Sequence, residues 1–220
     1  MSNPGKTQGR HAKRKRILAI AASVLTVAAT TAGLQLTAAT SSPATPVSIT
    51  LKYTCPFPVI GQQPLSIQIR TDIPKSISVG QPMPKLKIDA VATVNSAATS
   101  GMNLVGAKTL EGTAVADATA QVPQGQLPVK THVTLEKTNI PAQGGFQVNS
   151  HGEGSALTFT KPGKGTITVG DLQMTMTPKD KGGDKTLLGT FKSACKQDSG
   201  QNNKLAEFEI TGGGGTAPTG

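Results

Sequence analysis

Residues 47–70 read VSITLKYTCPFPVIGQQPLSIQIR, and apolar side chains recur in them at every second position. Ile49, Leu51 and Tyr53 alternate with threonine and lysine, and residues 65–69 repeat the pattern after a turn rich in proline and glycine. Because successive side chains of a strand point to opposite faces, this period of two predicts two strands, each with one buried face.

The same period of two continues along most of the chain. Further strands are predicted at residues 86–94, 108–120, 129–135, 146–149, 156–160, 166–169, 172–177, 188–193 and 205–210, with glycine and proline in most of the intervals. About ten short antiparallel strands separated by turn residues indicate an all-β sandwich. The alanine and threonine of residues 108–120 predict close packing between its sheets. Only residues 96–105 favour a helix, and then a short one.

The charge of the chain is concentrated at its beginning. The sequence contains 22 Lys+Arg and 12 Asp+Glu, a net charge of +10. Six of the basic residues lie in the first sixteen positions, and no acidic residue precedes Asp72. The rest of the chain therefore carries a net charge of only +4. Since a nucleic-acid-binding domain usually gathers its basic residues on one face, we expect no nucleic-acid partner.

The N-terminal segment has the three parts of a secretory signal peptide. Residues 1–16 are basic, residues 17–36 are uncharged and mostly apolar, and Thr37, Ala38 and Ala39 are small. This order predicts export and cleavage after Ala39. The alternative is an uncleaved anchor, because about 20 apolar residues can span a bilayer. Under the first interpretation the protein meets a membrane only through this segment, before cleavage.

The remaining chain divides into three predicted parts. Residues 40–46, TSSPATP, form a Ser/Thr/Pro linker, and residues 47–210 form one β domain without internal repeats. Residues 211–220 form a flexible tail rich in glycine.

Export also affects the two cysteines, Cys55 and Cys195, since an even number in an oxidising compartment predicts a disulfide. The disulfide would close a loop of about 140 residues, and in the chain-entropy model such a cross-link stabilises the folded protein by at most about 5 kcal/mol.

Three segments carry a resemblance to a known family. They are LKYTCPFPVIG at residues 51–61, KIDAVATV at residues 87–94, and GTF at residues 189–191 with Cys195 after it. Over residues 49–210 the chain resembles an actinobacterial family of secreted proteins that is catalogued only as a domain of unknown function. The resemblance implies export, a disulfide between the two ends of the domain and an Ig-like β fold. It implies no catalytic residue and no ligand.

Catalytic motifs are scarce. A Ser-His-Asp triad needs a histidine, and only His132 and His151 remain after cleavage, without a Gly-x-Ser-x-Gly elbow. His132 is expected to be a solvated strand residue. His151 and Glu153 share a face of their strand, but a catalytic zinc site usually has three protein ligands, and the sequence supplies no third. We expect a glycine-rich loop there, and neither a metal nor a cofactor.

Carboxylate pairs, as used in glycoside hydrolysis, are chemically available. The candidates are Asp89, Glu111, Asp117 and Glu136. No motif selects two of them, and the domain has one tyrosine and no tryptophan to form an aromatic sugar platform. We therefore expect all four to be solvated.

These observations predict a secreted, non-catalytic protein with a structural or binding role in the extracellular or cell-wall space. An extracellular hydrolase or metal-dependent enzyme is the alternative. The expected partners are anionic cell-envelope polymers or another extracellular protein. Attraction to the polymers would come from Lys85, Lys87, Lys130, Lys161, Lys164, Lys179, Lys181 and Lys185.

Overall fold

The computed structural model describes residues 43–213, which form ten strands and one helix. The strands are β1 (Ala44–Phe57), β2 (Gly61–Pro74), β3 (Ser76–Ser78), β4 (Lys87–Val94), β5 (Thr109–Val122), β6 (Gly125–Asn139), β7 (Phe146–Glu153), β8 (Gly163–Lys179), β9 (Phe191–Gln197) and β10 (Lys204–Thr211). The helix α1 spans Ser96–Leu104. The predicted signal peptide, residues 1–39, and residues 214–220 of the predicted tail lie outside the described residues. β1 already begins at Ala44, within the predicted linker, and pairs there with the end of β2.

Eight of the strands close on themselves. Their order is β8-β5-β6-β7-β4-β2-β1-β9, and β9 pairs again with β8. β10 pairs with the first part of β8, and β3 runs parallel to β10 outside the ring. The all-β class with about ten strands is confirmed, but the predicted sandwich is wrong. Alternating side chains show that each strand has one buried face, and a closed barrel buries that face as well as two packed sheets do.

Several strands are longer than predicted. β8 has 17 residues and joins the two strands predicted at residues 166–169 and 172–177. Its register against β5 shifts between Ala116 and Ala118, which is where β8 contains Gly170. The strand predicted at residues 156–160 is reduced to one isolated bridge between Thr158 and Pro82.

The single predicted helix is confirmed at α1. The side chain of Asn95 caps its first turn by accepting a hydrogen bond of 2.8 Å from the backbone N–H of Ala98. No helix within residues 43–213 has the length and apolar character needed to cross a bilayer.

The barrel closes where β1 meets β9. Only two residue pairs form this ladder, Tyr53 with Gln197 and Thr54 with Lys196. The next opposed positions are Cys55 and Cys195, which form a disulfide with their Cα atoms 4.1 Å apart. The covalent bond therefore extends the shortest ladder of the closed ring.

Apolar side chains fill both ends of the barrel. Ala98 and Met102 of α1 pack into the larger cluster, which includes Leu51 and Tyr53. A second cluster contains Met83, Phe159, Phe208 and Ile210 and lies at the opposite end. Between the two ends the interior is less completely packed, and this region is the candidate site.

Candidate functional site

Two adjoining cavities occupy the interior of the barrel. Each has a volume of about 70 Å³. The inner cavity is bounded by Tyr53, Leu172 and Met174, and the outer cavity by Met83 and Leu157. Four residues line both cavities, namely Ile69, Ile88, Ala116 and Thr131. The two cavities therefore form one interior site along the barrel.

Small side chains on β4 and β5 leave this space open. Six alanines line the cavities: Ala90, Ala92, Ala114, Ala116, Ala118 and Ala120. The alanine-rich run of β5 was expected to allow close packing between two sheets, and this expectation is wrong. Because the barrel surrounds its interior with a single sheet, no opposite sheet approaches the alanines, and their short side chains border a cavity.

The volume is large enough for a small ligand. Together the two cavities provide about 140 Å³, close to the roughly 150 Å³ of an engineered apolar cavity that binds benzene. This volume is below the range of about 300–1,000 Å³ for pockets that hold drug-sized ligands, so only a smaller molecule fits. An eight-stranded barrel is either filled by its own side chains or holds one small ligand.

The few polar groups of the lining do not converge on a common point. The hydroxyl of Tyr53 donates a hydrogen bond of 3.1 Å to the carbonyl oxygen of Gly170, and Ser150 donates one of 3.3 Å to the carbonyl oxygen of Ala90. Burial is the main reason that the pKa of Tyr53 rises to about 12. A cavity with so few polar partners stays dry and accepts apolar molecules.

The profile of a protein family matches residues 52–206 of this chain. The chain belongs to the family of unknown function DUF6801. The matched residues contain α1, both cysteines and every residue that lines the two cavities. Searches of the curated proteins and of the solved structures find no match.

The residues considered for a metal site lie on the outside of the DUF6801 barrel, and the glycine-rich loop expected around His151 is wrong, because His151 and Glu153 belong to strand β7. His132 of β6 is opposite Glu153 of β7, and His151 is two residues before Glu153. Nδ1 of His151 lies 3.5 Å from a carboxylate oxygen of Glu136, and Glu153 pairs with Lys85. Among residues 43–213 no three His, Cys, Asp or Glu side chains are arranged to hold a metal ion.

Two of the four carboxylates considered for glycoside hydrolysis share a surface depression of the DUF6801 domain, and the other two form ion pairs elsewhere. Asp89 and Glu136 border the same shallow outer depression. Glu111 forms an ion pair of 2.6 Å with Lys179, and Asp117 forms one of 2.6 Å with Lys130. Lys85, Lys130 and Lys179 also belong to the set expected to attract anionic polymers, so three of those eight lysines face a carboxylate within the domain.

An outer cleft of about 380 Å³ contains Asp117, His132 and Asp171. Asp171 was not among the sequence candidates. Its pKa is lowered, first by the hydrogen bond from the Lys196 side chain and then by the backbone N–H of Gln197. A general acid in glycoside hydrolysis needs a raised pKa, so Asp171 is not suited to that role.

The interior site is what the sequence interpretation missed. The one available signal was the alanine at every second position of residues 114–120 and of residues 90–92. Alanine at an inward-facing position reports a small side chain, but it does not report how far away the opposite wall lies.

Proposed function

We propose that this DUF6801 domain is a secreted, non-catalytic binding protein that holds one small apolar molecule inside its barrel. The observation that carries the proposal is the pair of adjoining cavities with almost entirely apolar walls. Leaving about 140 Å³ unfilled costs about 3 kcal/mol relative to a filled interior. This is a large fraction of the 5–15 kcal/mol by which a domain is normally stable, and such deficits are typical of functional sites.

Export is the second part of the proposal. It is supported by the signal-peptide pattern of residues 1–39 and by the disulfide between Cys55 and Cys195, which is consistent with an extracellular location. The test is the mass of the protein recovered outside a secreting host. A chain beginning near Thr40 is expected, whereas an uncleaved, membrane-bound chain would contradict export in this form.

Binding is tested with an uncharged naphthylamine, whose fluorescence increases when it leaves water, and with decanol as a competitor. The wild-type domain should take up the dye and release it when decanol is added. Tyr53 provides a second signal, because it lines the inner cavity and is the only tyrosine in a chain without tryptophan.

The specific variant is Ala116→Leu, since Ala116 lines both cavities. Its longer side chain occupies the interior, and dye affinity should fall at least about tenfold, equivalent to about 1.4 kcal/mol. Ala92→Leu on β4 should act in the same direction through the inner cavity. Thr113→Leu is the matched control, because Thr113 is exposed on the outside of the strand that carries Ala116. Equal dye affinity in all four proteins would refute binding in the interior.

A further inference from the structure

One side of the barrel wall is only partly joined. β6 pairs with β7 through four residue pairs, His132–Leu135 with Glu153–Ser150. Residues 125–131 of the same strand have β5 as their only ladder partner within the described chain. We call the gap between residues 125–131 and residues 154–157 the seam.

The seam exists because the chain turns away from β6 once β7 has ended at Glu153. The N–H of Gly154 donates a hydrogen bond of 2.8 Å to the carbonyl oxygen of Leu86. The N–H of Met83 donates one of 2.6 Å to the carbonyl oxygen of Leu157. Residues 154–157 therefore bind to the segment before β4. In the described structure a single hydrogen bond crosses the seam, 3.4 Å long, from Ser155 Oγ to the carbonyl oxygen of Lys130.

Both edges of the seam also line the outer cavity. Val129 and Thr131 contribute from β6, and Gly154, Ser155 and Leu157 contribute from the other side. A molecule that passed between these edges would enter the interior without unfolding either end of the barrel. Opening would break the one weak hydrogen bond across the seam and disturb the packing of Leu127 and Leu157 against the second apolar cluster, but it would leave the disulfide-closed ladder between β1 and β9 intact.

The polar groups at the seam are hydrogen-bonding and nearly neutral. Unpaired backbone groups of β6 and the exposed hydroxyl of Ser155 are available to a ligand. The neighbouring charges form pairs, Lys130 with Asp117 at 2.6 Å and Lys85 with Glu153 at 3.5 Å. Such an opening favours a polar but uncharged group over an ion.

We infer that the ligand enters through the seam and is an uncharged single-chain amphiphile, with its chain in the two cavities and its polar end at Ser155 and the edge of β6. This inference rests on the proposed interior binding. The combined volume of about 140 Å³ limits the chain to at most about ten carbons.

The route is tested by blocking the seam. Both cysteines of the chain are in the disulfide, so Ser155→Cys introduces the only free thiol, at an exposed position. After reaction with a bulky charged maleimide, Ser155→Cys should take up the naphthylamine at least tenfold more slowly than before labelling. Labelled Thr113→Cys, on the outside of β5, should match the wild type.

The outcomes separate the two proposals. If the dye binds the wild type but enters labelled Ser155→Cys at the normal rate, entry through the seam is refuted and interior binding remains. If Ala116→Leu binds the dye as well as the wild type does, the interior site itself is refuted.

The ligand class is tested by competition among molecules with the same chain. Decanol should displace the dye at a concentration at least tenfold lower than decanoate or decane. Decanoate carries a charge that the paired ions at the seam do not compensate, and decane lacks the polar end that the seam would bind. Equal competition by decane would refute placement of a polar end at the seam, and stronger competition by decanoate would refute the uncharged class.

Discussion

Replacing Ala116 with leucine tests whether the barrel interior is empty, independently of any ligand. Leucine adds three carbon atoms at a position that lines both cavities. At about 0.8 kcal/mol per buried methylene, the gain is at most about 2.4 kcal/mol, and restricting the leucine side chain costs about 0.5–1 kcal/mol. The expected net effect is a stabilisation of about 1.5 kcal/mol.

The sign of the change makes this prediction decisive. In a filled interior, the same substitution would destabilise the fold by about 1–3 kcal/mol through overpacking. Urea unfolding should give the free energy difference, and thermal unfolding should show a melting temperature raised by about 3–6 °C. Ala107→Leu is the matched control, because Ala107 is fully buried but borders neither cavity, and it should be destabilising. A destabilised Ala116→Leu would refute the empty interior.

Three further predictions concern the wall of the barrel. Replacing Cys195 and its partner with alanine should lower the free energy of unfolding by about 2–5 kcal/mol in urea, and a reductant should then have no further effect on the variant. Gly152→Ala should lower the free energy of unfolding by about 3 kcal/mol, because its Cβ would collide with the β6 backbone. Gly154→Ala is the control, since its Cβ meets only ordinary contacts and its stability should stay near that of the wild type. Equal stability of the two variants would refute the close approach of β6 and β7. The pKa of Tyr53, about 12 against an ordinary 10.0, predicts stability that is complete below pH 10 and lost as the pH rises through about 12. Ultraviolet difference titration should show this step in the wild type and not in Tyr53→Phe, and ionisation of the folded protein near pH 10 would contradict it.

Local patterns were sufficient for most individual elements. Ile49, Leu51 and Tyr53 alternate with polar residues, and the strand is found there because the period of side chains along a strand is a property of the backbone. The same is true of β4 and β6. The short helix was predicted at residues 96–105, where the alternation stops, and α1 is found at Ser96–Leu104.

Prediction failed where the outcome depended on a distant segment. Two strands were predicted at residues 166–169 and 172–177, but both belong to β8, and the residues between them include Gly170 at the register shift against β5. A glycine in a strand is compatible with a turn or with a bulge, and only the register against β5 distinguishes the two. Residues 156–160 have strand-like alternation, but they lie beside the segment before β4 and form only one isolated bridge with it, between Thr158 and Pro82.

The candidate site was beyond the reach of the sequence for a related reason. Alanines on β4 and β5 specify short side chains, and the same residues suit two closely packed sheets or the wall of an open interior. Which of these occurs depends on the distance to the opposite wall. That distance is set by closure of the whole ring.

The amino-acid sequence alone therefore determined where most of the strands lie, which side of each of these strands is apolar, and that two cysteines have one possible partner each within the chain. The tertiary structure decided that the strands close into a barrel, that the interior contains two cavities, and that β6 is left partly unpaired at the seam. The physical reason is that alternation arises within a strand, whereas closure arises from backbone hydrogen bonds between distant strands, such as those holding Tyr53 and Gln197. Those N–H and C=O groups are the same in nearly every residue, so their pairing leaves no pattern of side chains to recognise.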